Sequence, residues 1–227
     1  MTEPTKIDVK RRILESNELA AAKLRQGFSA TGTLVVNLIS SPGSGKTTLL
    51  ESTIGRLSGL KVAVLEGDIA TERDADRIRK LGVPARQILT GGSCHLDARQ
   101  IQREIVEEGF ANADILFIEN VGNLICPTAY DLGEDFKIAL LSVSEGDDKP
   151  FKYPGIFSKA AVTIITKIDL LDYVDFDLEA VEDQIRSLNQ RSVILKTSAR
   201  AGTHLDEWCA FLRSTLEKKR GGAGPLP

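Results

Sequence analysis

The chain has 227 residues and a formal net charge of −3, with 42% apolar and only 5% aromatic residues. That length suits one domain with a short appendage and a core of aliphatic side chains, and weak acidity without a basic block gives no electrostatic footprint for nucleic acid. Cys94, Cys126 and Cys209 are too sparse for a disulfide framework, no apolar signal segment opens the chain, and no run reaches the roughly 20 apolar residues of a membrane helix. A cytoplasmic, reducing setting without a membrane partner is expected.

Asp8 to Gln26 reads as an amphipathic helix, with Thr5 and Asp8 resembling a capping box, Ile13, Leu14 and Leu24 near one face, and Gly27 as the stop. The expected division is an N-terminal helical extension (1–27), a nucleotide-binding domain (28–220) and a disordered tail (221–227). Leu34 to Ile39 is a short apolar run and so a buried strand.

The segment from Ser40 to Thr47 then reads S-S-P-G-S-G-K-T, which matches the phosphate-loop pattern G-x-x-x-x-G-K-[ST] except that Ser40 replaces the first glycine. Gly43, Ser44 and Gly45 allow backbone N–H groups to turn toward phosphates, and a helix from Thr47 to Arg56 adds its N-terminal dipole. Lys46 suits the β- and γ-phosphates, the Thr47 hydroxyl suits magnesium, and Thr48 suits the α-phosphate.

Val62 to Leu65 is the next strand, and Asp68 follows it, placed to hold magnesium or orient the attacking water. Asp74 is either a second such acid or a helix-N-terminal charge in a helix from Glu72 to Leu81. A further helix is expected from Leu96 to Glu108, capped by Asp97, with Ile101 and Ile105 on one face. Ile115 to Ile118 is a strand ending at Glu119, a magnesium-side acid, and Gly122 stands three residues on, as in a D-x-x-G switch with Glu for Asp. Ile138 to Val143 is another strand, followed by a charged loop from Ser144 to Gly155. Lys149 and Lys152 in that loop either face solvent or reach phosphate, across a dimer in the second case.

Ala161 to Ile165 and Val193 to Leu195 are strands flanking a helix from Leu178 to Asn189, and a last helix runs from Leu205 to Glu217. Thr166-Lys167-Ile168-Asp169 is similar to the N-K-x-D guanine motif: the Asp169 carboxylate accepts from N1–H and the 2-amino group, and the Lys167 stem covers the base. Ser198 and Ala199 resemble the S-A element that meets guanine O6. Cys209 shares its helix with Trp208, Phe211 and Leu212 and reads as core. Apolar strands alternating with helices predict a three-layer α/β fold of the P-loop NTPase class, with a mainly parallel central sheet and helices on both faces. The motif order favours GTP over ATP. No arginine finger is evident, so unassisted turnover is expected to be on the order of 10⁻² s⁻¹ or below.

Cys94 and His95 adjoin at a helix start, and Cys126 follows the Glu119–Gly122 switch. A catalytic Cys–His pair is disfavoured, because sequence neighbours do not readily adopt nucleophile–base geometry. Thiolate and imidazole suit nickel or zinc. Three ligands from one chain are thin for a closed site, and a twofold dimer would complete it. A metal coupled to the nucleotide follows, since Cys126 lies downstream of the switch.

SSPGSGKTTLL, EGDIATERDADRI, GGSCHLDA, ENVGNLICPTAYDLGE, DKPFKYPGIF and TKIDLL together resemble the hydrogenase nickel-incorporation GTPases of the HypB family. The resemblance implies a slow GTPase that delivers nickel during maturation of nickel–iron hydrogenase. It implies a homodimer formed with GTP, a small zinc-containing accessory partner and the hydrogenase large-subunit precursor as recipient. Lys46 would be the phosphate lysine, Thr47, Asp68 and Glu119 the magnesium side, and Cys94, His95 and Cys126 the shared metal ligands. The Cys-Pro-His triplet of the related urease nickel GTPase is absent, as are any Cys or His before Cys94. Service to another metalloenzyme such as urease, a nucleotide kinase and a pure binding module are the alternatives.

Overall fold

A computed structural model describes residues 6–68, 73–106, 109–110 and 112–222. Helix α1 (Lys6–Thr31) precedes β1 (Leu34–Ser40), α2 (Lys46–Ile54), β2 (Val62–Asp68), α3 (Arg73–Arg79), β3 (Ala85–Leu89) and α4 (Ala98–Glu104). Strands β4 (Ile115–Glu119) and β5 (Phe136–Ser142), short helices α5 (Lys149–Lys152) and α6 (Pro154–Lys159), β6 (Val162–Thr166), α7 (Leu178–Leu188), β7 (Val193–Lys196) and α8 (Leu205–Arg220) follow. The strands form one seven-stranded sheet in the order β3-β2-β4-β1-β5-β6-β7, with every pairing parallel.

A parallel sheet needs cover on both faces, and the alternation along β1 supplies it. Leu34, Val36 and Leu38 pack with Leu49 and Leu50 of α2 and Trp208 and Leu212 of α8. Val35, Ala63, Leu65 and Leu116 pack on the other side with Ala21, Leu24 and Phe28 of α1 and Ile101 of α4. Ile39, Ala139 and Leu141 extend that layering against Phe157 of α6 and Val181 and Ile185 of α7. The carboxyl ends of β1, β2, β4 and β6 bring Ser40, Asp68, Glu119 and Thr166 to one edge, where ligands of such sheets bind.

Several expected boundaries are corrected. Helix α1 passes through Gly27 and stops before Gly32, whose φ of +68° provides the left-handed turn. Its inward stripe is Asn17, Ala20, Ala21, Leu24 and Phe28, while Ile13 is exposed. Strand β3 was not expected. The segment from Ser144 to Gly155 is not a plain loop: Pro150 and Pro154 open α5 and α6, at the first-turn position where the missing N–H costs nothing. Helix α4 ends at Glu104, short of Glu108. Thr5, Glu72, Glu108 and the tail from 223 lie outside the described residues. No helix among them is long and apolar enough to cross a membrane.

Candidate functional site

The phosphate loop folds as its glycines require. Gly43 (φ +76°) and Gly45 (φ +96°) take conformations that side-chain-bearing residues avoid, and Gly45 caps the N-terminus of α2. The loop borders a cavity of about 500 Å³ that is also lined by Lys46, Thr47, Thr48, Asp68, Asp74, Glu119, Gly122 and Lys167. The Lys46 ammonium donates to Ser40 Oγ at 2.9 Å, so the serine that replaces the first glycine serves as a rest for the lysine. Burial pushes the Lys46 pKa down, against the pull of Glu119, Glu145, Asp74 and Asp68.

The structure brings two of the three expected magnesium-side groups into contact. Thr47 Oγ1 donates to Glu119 at 3.0 and 3.2 Å to its two oxygens. Burial pushes the Glu119 carboxyl up to about 7, partly offset by Lys46 and Thr47. Asp68 ends β2 and faces the same cavity. Gly122 lies against the phosphate loop: a Cβ there would meet Pro42 Cγ at 2.9 Å and Pro42 N at 3.0 Å.

Glu66 and Arg77 were not singled out from sequence. Glu66 is in register with Glu119 on the adjacent strand, is 3% exposed, and its Oε1 has no hydrogen-bond partner among the described residues. Burial, reinforced by Glu119 and Asp74, pushes it up to about 8. The alternation Val62, Val64, Glu66, Asp68 along β2 is the signal that could have found it. Arg77 borders the cavity from α3, held by Glu51 at 2.6 Å and Asp74 at 3.0 Å, and donates to Thr48 Oγ1 at 3.3 Å. That guanidinium stands beside the phosphate loop, paired with two carboxylates of its own chain.

A second, adjoining cavity of about 340 Å³ is lined by Lys167, Asp169, Ser198 and Ala199 together with Thr48 and Leu49. Thr166 Oγ1 donates to the Ser44 carbonyl at 2.7 Å, and Lys167 Nζ donates to the Gly43 carbonyl at 2.7 Å. Lys167 adopts φ +59°, and Ser198 Oγ accepts from the Ala201 N–H at 3.0 Å to shape the last turn. Asp169 is exposed at the mouth of the cavity.

Cys94, His95 and Cys126 converge as expected, with one ligand atom from each within 4.8 Å of the others. Cys94 Sγ lies 3.7 Å from His95 Nδ1. The Cys126 contact, then burial, raises the Cys94 thiol, while burial lowers His95 and favours the neutral imidazole that ligates metals. The Tyr130 ring stacks on His95 at 3.8 Å between centroids. Two thiols and an imidazole form a donor set that fits nickel or zinc.

Two asparagines in the loop after β4 tie this cluster to the phosphate side. Asn123, next to Gly122, accepts from the Ile125 and Cys126 N–H groups at 2.8 and 3.3 Å and donates to the Cys94 carbonyl at 3.4 Å. Asn120 accepts from the Leu96 N–H at 3.2 Å. Neither was predicted, although Asn123 stands between two predicted residues. Lys149 and Lys152 line neither cavity: Lys149 lies over the Tyr153 ring and Lys152 pairs with Asp148 at 3.1 Å. Cys209 is buried in the core, as expected.

The family profile described as "CobW/HypB/UreG, nucleotide-binding domain" matches residues 34–196. A hydrogenase maturation factor HypB from Azotobacter chroococcum mcd 1 is 47% identical over 95% of this chain and 70% of its own length. A hydrogenase/urease maturation factor HypB from Helicobacter pylori (strain ATCC 700392 / 26695) is 43% identical over 95% of this chain and 90% of its own. Among solved structures, HypB from Helicobacter pylori in complex with nickel superposes with TM-score 0.85 at 42% identity, covering 93% of this chain and 98% of that one. HypB from Archaeoglobus fulgidus gives TM-score 0.84 at 39% identity over 89% of this chain and 100% of that one. Profile, sequence and fold thus agree with the geometry of a phosphate loop beside a thiol–imidazole cluster, and the chain belongs to the HypB branch of the CobW/HypB/UreG family.

Proposed function

We propose that this protein is a GTP-hydrolysing metallochaperone that delivers nickel during maturation of nickel–iron hydrogenase, through a metal site shared across a GTP-dependent dimer. The observation that carries the reading is the short loop from Glu119 to Cys126, which runs from the phosphate cavity to the metal cluster and is fastened to the cluster by Asn120 and Asn123. The nickel-bound Helicobacter pylori relative supports nickel as the cargo.

In this reading Lys46 neutralises the β- and γ-phosphates, Asp68 orients the attacking water, and Thr47, Asp68 and Glu119 hold magnesium. Magnesium, when bound, offsets the charge that develops on the transferring phosphoryl group. Gly43, Gly45 and Thr48 cradle the phosphates, while Asp169, Lys167, Ser198 and Ala199 select guanine. Cys94, His95 and Cys126 hold nickel, and zinc competes for the same donors. A small zinc-containing accessory protein and the hydrogenase large-subunit precursor are the proposed partners, in the cytoplasm.

The test is nickel titration of wild type and Cys94→Ala with and without GTP, with light scattering for the dimer and phosphate release for turnover. Nickel binding lost in Cys94→Ala, a dimer seen only with GTP and slow release of phosphate are expected. Equal nickel binding by both proteins would sink the shared site. The joint hydrogenase/urease description of the Helicobacter pylori relative favours a second recipient. Deletion that abolishes hydrogenase activity and spares urease activity rules that out.

A further inference from the structure

One side chain of helix α1 bonds to the backbone beside both parts of the metal cluster. Asn17 is 4% exposed. Its Oδ1 accepts from the Ala98 N–H at 2.8 Å, and its Nδ2 donates to the Asp131 carbonyl at 2.8 Å. Ala98 opens α4 just after Cys94 and His95, and its N–H is one of the first-turn donors a helix leaves unsatisfied. Asp131 follows Tyr130, the residue stacked on His95, at the end of the turn that starts with Cys126. The two ligand loops, far apart in sequence, are thus joined by one amide of α1.

The surroundings make α1 a firm anchor. Arg25 grips both Asp131 carboxylate oxygens at 2.6 and 2.7 Å, and Arg99 of α4 donates to Ser16 Oγ. Metal–ligand distances tolerate deviations of only about 0.2 Å, so a small relaxation of either loop changes how well three ligand atoms meet one ion.

We infer that α1 positions the metal cluster: through Asn17 it sets the separation between the Cys94–His95 loop and the Cys126 turn, and the seating of α1 thereby controls metal affinity. This rests on the nickel reading above. Asn17 is a positioning residue, since it acts through the backbone of the ligand loops.

The experiment follows nickel titration by thiolate-to-nickel charge-transfer absorption in wild type, Asn17→Ala and Asn17→Asp, with guanine-nucleotide affinity measured alongside. Asn17→Asp keeps the acceptor for Ala98 and loses the donor for Asp131. Nickel affinity is expected to fall about 10- to 100-fold in both variants, the range seen when outer partners of metal ligands are removed, with a shifted absorption band and unchanged nucleotide affinity. Should Asn17→Ala fail to fold, Arg25→Ala loosens the same Asp131 corner from the exposed side and is expected to weaken nickel binding in the same direction. Folded variants that melt earlier yet bind nickel with wild-type affinity and spectrum overturn the inference. A wild type that binds no nickel, or a Cys94→Ala protein that binds it equally, overturns the nickel reading and this inference together.

Discussion

Thr166 stands where the N-K-x-D pattern has asparagine. Its buried hydroxyl fastens the end of β6 to the Ser44 carbonyl of the phosphate loop, and a threonine is long enough because that carbonyl comes within 2.7 Å. In Thr166→Val the Ser44 carbonyl loses this donor while the volume is kept. Leaving a buried acceptor unpaired costs about 1–3 kcal/mol, so urea unfolding should show a loss of that size, and guanine nucleotide affinity should weaken in parallel. At this scale much was legible in the sequence. Lys46, Thr47, Asp68 and Glu119 line one cavity, Asp169 the next, and Cys94, His95 and Cys126 come together, each grouped as the sequence grouped them. What was not legible are residues whose role depends on a neighbour distant in sequence. Glu66 gains its meaning only beside Glu119 on the next strand, and Asn17 only where α4 and the Cys126 turn meet.

Among the elements, the strands fully buried on both faces were plain, and so was the aliphatic edge strand β7, whereas edge strand β3 was not. Strand β3 pairs with β2 alone, and its sequence mixes Arg86 and Gln87 with Ile88; Arg86 is drawn in by Glu104 at 3.0 Å, a contact no local pattern announces. Pro150 and Pro154 read as loop signals and instead start helices. The loop after β4 is the element through which metal and nucleotide are proposed to communicate, and Asn123 is its fastening point. Asn123→Ala should bring the ratio of nickel affinities with and without GTP close to one, erasing a coupling of about 1–3 kcal/mol, while each ligand still binds alone; paired titrations measure it. Helix α1 is seated by a different device. Gly133 has φ +79°, and a Cβ there would lie 2.7 Å from Leu24 Cβ and 3.0 Å from the Ala21 carbonyl. Gly133→Ala combines backbone strain with a clash and should destabilise the protein by about 2 kcal/mol or more, read from the urea midpoint.

Over the whole molecule, α8 closes the sheet by gripping the bases of its central strands. Arg220 pairs with Asp114, just before β4, and the Asp114 carboxylate also accepts from the Lys61 N–H at 2.6 Å. Burial alone would raise the Asp114 pKa, but Arg220 and the Lys61 N–H outweigh it and hold the carboxyl below the usual range. The sign follows: this contribution is present above the unfolded value of about 4 and is lost as pH falls through the lower folded value. Arg220→Ala should therefore cost about 0.5–1 kcal/mol at neutral pH, with the gap from wild type closing on acidification; thermal melts of both proteins from neutral to strongly acidic pH check it.

Lys167 touches the phosphate loop as well as the proposed guanine pocket. Its ammonium holds the Gly43 carbonyl, and its Cε lies 3.8 Å from where a Cβ on Gly45 would stand. Under the proposed GTPase function, a purine that displaced this side chain would release its hold on the Gly43 carbonyl of the phosphate loop. On that proposal a mistaken letter would also disturb the handling of the fuel, so the wrong nucleotide would be penalised once on arrival and again at turnover.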